Sequence, residues 1–260
     1  MPATREPLDA ALTKAARLLR RAKHAIALTG AGMSVASGIP DFRSPEGLWS
    51  RHDPMEVATA EALRLAPKRV WEFLLEALAT LRQAAPNPGH LALTRLEWAG
   101  RLAAVITQNI DGLHQAAGSR NVIEFHGGTG RFFCMGCGRD YAPKLAYSLT
   151  CRDIPWRCEA CGGLIRPQIV FFGEGIPLDA LGKSAQLALA ADLIVVAGTS
   201  GEVAPANQLP RAVKARGGVV VEINLSESTV SDLADVRLVA PVETALPALA
   251  DLVLSKPLTR

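Results

Sequence analysis

A parallel β-sheet covered by helices on both faces is the fold that three features of the sequence predict. Short β-branched or apolar runs alternate with helical patterns along most of the 260 residues. These runs lack the apolar–polar alternation of a half-exposed sheet, so both faces of each strand are expected to be buried. Two stretches break the pattern, a mainly helical one at 44–90 and a cysteine-bearing one at 128–167. The expected fold is therefore α/β: a Rossmann-like doubly wound parallel sheet with an inserted small zinc-ribbon domain and a helical module. The sheet domain is expected from 1–43, 91–127 and 168–260.

The segment from Arg5 to Lys23 combines six basic residues with an apolar repeat at Leu8, Leu12, Ala15, Leu18 and Leu19, the pattern of an amphipathic first helix. AIALT (25–29) follows as the first strand with almost no spacer, and Glu6 and Asp9 also argue against a transit peptide. Pro67 suits the first turn of a helix running through Val70, Trp71 and Leu74, and the turn PNPGH (86–90) closes the helical module. AAVIT (103–107), QIVFF (168–172), LIVVAG (193–198), VVVEIN (219–224) and VRLVA (236–240) supply the remaining expected strands. A balance of 49% hydrophobic and 20% charged residues excludes a mainly disordered chain. The net charge of +3 is mildly basic, compatible with a nucleic-acid or basic-tail partner without arguing for one, since the basic residues are spread along the chain. The longest apolar stretch, around Leu187 to Gly198, contains Asp192 and is too short to cross a bilayer. A soluble, cytoplasmic protein without membrane association is expected.

Cys134 and Cys137 form one C-x2-C pair and Cys158 and Cys161 a second, with twenty residues between them. Each pair can present two thiolates to one tetrahedral zinc, and the gap is that of a zinc ribbon. The competing reading, four buried small hydrophobes, fits poorly with the glycines of CMGCG and CEACG. Disulfides need an oxidising compartment and leave Cys151 over. Four cysteine ligands leave no open position for water or substrate, so the zinc, one per chain, is expected to be structural.

The first strand ends in Gly30-Ala31-Gly32-Met33-Ser34. Glycines directly after a strand let backbone approach a pyrophosphate, and amides opening the next helix can bind it. The full dinucleotide fingerprint is nevertheless missing: Val35 stands where a glycine is needed, and no acidic residue follows the second strand at the usual distance. Asp41-Phe42-Arg43-Ser44, a polar cluster with one aromatic, suits a flap over a bound nucleotide. Gln108-Asn109-Ile110-Asp111 places amides and a carboxylate at the carboxyl end of a strand, where ligands of open α/β sheets sit. Among the histidines, His126 just before the zinc module is the candidate base; His24, His52 and His90 read as structural, and His114 reads either way.

GAGMSVASGIPDFRS, TQNIDGLH, the FHG at Phe125 to Gly127, the two C-x2-C pairs, RPQIVFFGE, GTSGEVAPA and the EIN at 222–224 occur together in this order. Over nearly the whole chain, from about Ala25 to Leu249, the sequence is similar to sirtuins, in a minimal bacterial-type form. The resemblance implies a Rossmann-like domain, a zinc domain and a cleft between them. It also implies NAD as a consumed co-substrate in the removal of acyl groups from lysine, releasing nicotinamide and O-acyl-ADP-ribose.

By the same resemblance, Gly30, Ala31 and Ser34 line the phosphate site, and Phe42 and Arg43 sit on the flap beside the nicotinamide ribose. Gln108 and Asn109 hold the riboses and an ordered water; Ile110 and Asp111 engage the nicotinamide carboxamide. Gly198, Thr199, Ser200, Asn224 and Leu225 take the adenosine end. The acyl oxygen attacks the ribose as nicotinamide leaves, and His126 then acts as general base on the ribose hydroxyls. The acylated peptide adds as a strand between Phe172-Gly173-Glu174 and Gly201-Glu202-Val203. Gly201 departs from the larger apolar residue usual after GTS, which puts peptide affinity or the rigidity of that loop in question.

Leu74 and Ala77 occupy the places where sirtuins specialised for acidic acyl groups carry Tyr and Arg, and Ala58 matches a pocket-widening alanine. A carboxylate on the acyl group would therefore lack a partner, and neutral acyl groups are expected. Two other functions compete. An ADP-ribosyltransferase could use the same cleft, although the intact His126 favours deacylation. A nucleic-acid-binding zinc ribbon would need a basic patch, whereas Arg139, Lys144, Arg152 and Arg157 are offset by Asp140, Asp153 and Glu159.

Overall fold

The computed structural model describes residues 7–255 except Arg43 and Glu46. Nine strands are described: β1 (Ala25–Thr29), β2 (Ala104–Thr107), β3 (Val122–Glu124), β4 (Gly127–Cys134), β5 (Asp140–Tyr141), β6 (Ile165–Ile169), β7 (Leu193–Ala197), β8 (Val219–Asn224) and β9 (Val236–Val239). Ten α-helices accompany them: α1 (Leu8–Arg21), α2 (Pro54–Val57), α3 (Ala60–Leu65), α4 (Pro67–Gln83), α5 (Pro88–Trp98), α6 (Leu113–Ala116), α7 (Pro143–Ala146), α8 (Leu178–Ala190), α9 (Gln208–Ala215) and α10 (Val242–Leu254).

Six strands form one parallel sheet in the order β3-β2-β1-β7-β8-β9. The period of two along each strand sends alternate residues to two separate cores. Ala25, Ala27, Val105, Val195 and Val221 pack under α1, α5 and α10, while Ile26, Leu28, Ile106, Val196 and Val220 pack under α8 and α9. This double burial is the physical reason the strands read as continuous apolar runs. The order reverses between β1 and β7, so the loops leaving these strands diverge and open a crevice at their carboxyl ends.

The second sheet is small and antiparallel, in the order β5-β4-β6. Here the structure differs from the expected strand list. QIVFF does not join the parallel sheet: β6 ends at Ile169 and pairs with β4, and the sixth parallel strand is the short VIE of β3. β3 escapes a sequence reading because it has only three residues and ends in a charged one.

The helical and cysteine-bearing stretches, far apart in sequence, share one core. Trp71 of α4 is fully buried against Phe132 and Trp156, with ring centroids 6.4 and 5.9 Å away, and its Nε1 donates to the Ile165 carbonyl at 3.1 Å. α4 begins at Pro67 in its first turn, as expected. Together the two stretches make a small lobe facing the parallel sheet across the crevice.

Candidate active site and metal centre

In the small lobe the four cysteine sulfurs lie within 4.8 Å of one another. Cys134 Sγ is 3.4 Å from Cys161 Sγ, and Cys137 Sγ is 3.7 Å from Cys158 Sγ. A tetrahedron of ~2.3 Å Zn–S bonds has edges of about 3.8 Å, so the donor set fits zinc closely. Backbone amides support it, Gly136 N donating to Cys134 Sγ at 3.3 Å and Gly163 N to Cys161 Sγ at 3.4 Å. The glycines are required for space. A Cβ on Gly163 would stand 2.8 Å from Cys134 Sγ. Cys151 is exposed and outside the cluster.

A cavity of about 650 Å³ occupies the crevice between the lobes. Its floor is the meeting of the loops after β1 and β7. Gly32 N donates to the Gly198 carbonyl at 2.8 Å, and Gly198, at φ +61, brings its Cα so close that a Cβ on Gly32 would stand 2.9 Å from it. The glycines after β1 therefore serve loop-on-loop contact as well as exposing backbone to the cavity. Two 3-10 turns, Ala31–Met33 and Val35–Ser37, follow the first strand in place of the expected α-helix, so no long helix N-terminus points at the cavity there.

The TQNID segment is held by a connected polar network. Asn109, buried, donates from Nδ2 to the Gly30 carbonyl at 3.0 Å and to Ser34 Oγ at 3.1 Å. Ser34 Oγ donates in turn to Asp111 Oδ2 at 2.7 Å, and Asp111 Oδ1 accepts from Leu113 N at 2.9 Å. Gln108 Nε2 reaches Thr199 Oγ1 at 3.0 Å. Each member has a partner, so the side chains are preorganised.

His126 lines the same cavity, with Nδ1 3.0 Å from the Gln108 carbonyl. A carbonyl only accepts, so Nδ1 carries the proton and Nε2 is the basic atom. Burial holds the imidazole below its usual range, partly offset by that hydrogen bond. His126 is therefore neutral and basic at pH 7. His114 is buried, its Nε2 2.9 Å from Thr29 Oγ1 and its ring 4.8 Å from that of His90. Burial and the neighbouring His90 lower His114 to about 3. Desolvation, partly opposed by Asp111, lowers His90 to about 4. Both stay neutral in the folded protein.

Toward the small lobe the cavity becomes apolar. Phe73, Leu74, Ala77, Thr80 and Leu81 line it from one face of α4, joined by Ala58. Phe42 stacks on Trp49 at 5.1 Å, and Trp49 lies 6.2 Å from Phe73 and 6.4 Å from Phe172. Trp49, Phe73, Thr80 and Leu81 were not among the expected site residues; the i, i+4, i+7, i+8 spacing of Phe73, Ala77, Thr80 and Leu81 was the available signal.

Glu174 borders the cavity, yet its carboxylate is committed to structure. It pairs with Arg166 Nη1 and Nη2, the latter at 2.8 Å, and accepts from Phe171 N at 2.9 Å. Partial burial opposes ionisation, but these bonds hold the Glu174 carboxyl below its ordinary range. Phe172 pairs both backbone groups with the 58–60 segment, N to the Ala58 carbonyl at 2.9 Å and carbonyl to Ala60 N at 3.1 Å. Gly30, Ala31, Ser34, Ile110, Gly198, Thr199, Ser200, Asn224, Gly173 and Val203 also line the cavity. Leu225, Gly201 and Glu202 are not among its lining residues: Leu225 and Glu202 face outward, and Gly201 is buried against Thr229. Arg43 lies outside the described residues.

Comparison with known proteins agrees with this geometry. Residues 30–205 match the Sir2 family. The chain belongs to that family. A relative from Pyrococcus furiosus, an NAD-dependent protein deacylase, is 44% identical over 244 residues, covering 92% of this chain and 97% of its own. Among solved structures, a Sir2 homolog–NAD complex superposes with a TM-score of 0.86 at 39% identity, covering 92% of this chain and 93% of the other. Sir2Af2 bound to a myristoylated histone peptide superposes with a TM-score of 0.79 at 32% identity, covering 94% and 97%.

Proposed function

We infer that the cleft removes neutral acyl groups from protein lysine side chains at the expense of NAD. The protein is an NAD-dependent protein deacylase of the sirtuin type, with one structural zinc. The observation that carries the mechanism is the convergence of a neutral, Nδ1-protonated His126 with the Ser34–Asn109–Asp111 network on one cavity.

NAD, when bound, supplies the ribose carbon that accepts the acyl oxygen as nicotinamide departs. Ser34, Asn109 and Asp111 orient the nicotinamide end, and the packed Phe42–Trp49 pair limits water there. His126 Nε2 takes the proton of a ribose hydroxyl, so that the oxygen can attack the acyl carbon. Gly198, Thr199, Ser200 and Asn224 border the adenosine end; Asn224 Nδ2 donates to the Thr199 carbonyl at 2.9 Å and is thereby fixed.

Acylated-lysine proteins or peptides are the partners. Phe172 and Gly201 use their own backbone groups within the fold, and the Val203 carbonyl accepts from Asn207 N at 3.2 Å, so strand-like pairing with the peptide falls to Gly173 and the Val203 amide. The wall formed by Ala58, Leu74 and Ala77 is apolar, and no Lys or Arg is among the described lining residues. An acidic acyl group would be buried without a partner there. The myristoylated peptide held by Sir2Af2 supports room for longer neutral chains. Reduced zinc-binding thiols suit a reducing compartment such as the cytoplasm, and the mixed charges between Cys134 and Cys161 support no nucleic-acid role. The test is kcat/KM for acetyl, butyryl and succinyl forms of one peptide, with O-acyl-ADP-ribose read by mass spectrometry. Acetyl and butyryl are expected to exceed succinyl by at least about tenfold. A succinyl value equal to the acetyl value would refute the pocket assignment, and ADP-ribosylated protein in place of O-acyl-ADP-ribose would refute the reaction.

A further inference from the structure

The loop after GTS poses a problem that a residue outside the expected site resolves. Gly201 adopts φ +69, a conformation unfavourable for L side chains, and a Cβ there would stand 2.6 Å from Thr229 Oγ1. A bulkier residue at 201 and Thr229 in its present place are mutually exclusive. Thr229 in return bonds two consecutive carbonyls of the loop: its N donates to Ser200 O at 3.0 Å and its Oγ1 to Gly201 O at 2.6 Å.

Thr229 is itself firmly placed. The carboxylate of Glu222, 2% exposed, accepts from Ser228 Oγ, from Ser231 Oγ at 2.8 Å and from Arg237 Nε at 3.1 Å. Ser231 Oγ also accepts from Ser228 N at 2.9 Å. These bonds set the residues on either side of Thr229 independently of its hydroxyl. The hydroxyl is thus a staple from a rigid turn to Gly201, which has no side chain of its own to pack.

We propose that Thr229 is a positioning residue for the acyl-peptide end of the cleft, fixing Gly201 and hence Val203 where a larger apolar residue at 201 would otherwise do so. The proposal rests on the reading that Val203 borders the bound peptide. Because Asn224 Nδ2 is bonded to the Thr199 carbonyl and the Thr229 amide to the Ser200 carbonyl, the adenosine side is held without the hydroxyl, and its removal should loosen the peptide side selectively.

The test compares wild type, Thr229→Val and Thr229→Ser. Thr229→Val keeps the amide bond to Ser200 and removes the hydroxyl; Thr229→Ser keeps both. The affinity of a fluorescein-labelled acetyl-lysine peptide is read by fluorescence anisotropy, and that of ADP-ribose by calorimetry. Thr229→Val is expected to weaken the peptide about fivefold, the scale of one neutral hydrogen bond, and to leave ADP-ribose within about twofold. Thr229→Ser is expected to restore peptide affinity. Unchanged peptide affinity in Thr229→Val, failure of Thr229→Ser to restore it, or equal losses for both ligands would overturn the proposal. Wild-type protein that binds ADP-ribose but no acetyl-lysine peptide would instead overturn the deacylase reading, and this proposal with it.

Discussion

The two lobes that face each other across the cleft are stabilised by different means. The parallel sheet is covered on both faces, and its two cores are built almost entirely of aliphatic side chains. The small lobe has a thin aromatic core around Trp71, Phe132 and Trp156, and two of its zinc-ligand cysteines are part of that core: Cys134 is 1% exposed and Cys158 3%. Cys137 and Cys161 are exposed. In one lobe hydrophobic burial suffices; in the other, the cysteine site and the core are a single unit, and the α4 side of the cleft packs on it.

That contrast predicts its own largest effect. Cys134→Ser or Cys158→Ser should lose zinc, melt the small lobe ahead of the sheet and reduce activity by roughly 100-fold or more, since binding energy at a structural zinc site is folding energy. Cys137→Ser and Cys161→Ser should release zinc with a smaller loss of tryptophan burial, and Cys151→Ser should keep one zinc per chain. Metal analysis with intrinsic fluorescence checks all three, and zinc loss in Cys151→Ser would break the assignment.

The sheet lobe should respond to acid instead. His90 and His114, lowered to about 4 and about 3, stay neutral in the fold but protonate near 6.5 when unfolded. The unfolded chain therefore binds more protons between pH 6.5 and about 4, and stability falls as pH drops through that window. The loss is on the order of 2 kcal/mol per imidazole by pH 5. Melting curves at pH 7 and pH 5 should differ by about 5–10 °C, and His114→Gln should lessen the difference. A melting temperature independent of pH over this range would contradict the neutral buried pair.

The smallest effect concerns the join between the lobes. Glu174→Ala removes the charged partner of the buried Arg166, which keeps its bonds to the Pro167 and Ile169 carbonyls, and removes the acceptor of Phe171 N. Because Glu174 is partly exposed, the expected cost is only about 1–3 kcal/mol, with KM for the peptide rising more than KM for NAD. Equal changes in both constants would remove the clasp from peptide positioning.

The zinc ligands and the TQNID segment were legible in the sequence because their chemistry is local: two turns of cysteines, and polar groups directly after a strand. The apolar wall of the cavity was only partly legible. Phe73 and Leu81 join Leu74 and Ala77 through helical periodicity, but Trp49 reaches the cavity from a short 3-10 turn, Leu48–Ser50, whose position no local rule fixes. Glu174 looked like a ligand contact from its place in RPQIVFFGE, and only the fold reveals that Arg166 takes its carboxylate. Thr229 was invisible for the same reason, since its partner Gly201 is 28 residues away in sequence.

His126 is the point on which the catalytic account depends. The measurement is the rate of O-acyl-ADP-ribose formation by His126→Ala, made beside its zinc content and melting temperature. The imidazole bonds only a backbone carbonyl among the described residues, so fold and zinc should be retained while the rate falls by about two to four decades, the scale of a general base. Wild-type turnover should also decline in acid, with its midpoint below that of an ordinary imidazole, because burial lowers this imidazole and favours its neutral, basic form. A folded, zinc-loaded His126→Ala protein with near-wild-type turnover would remove His126 from the mechanism.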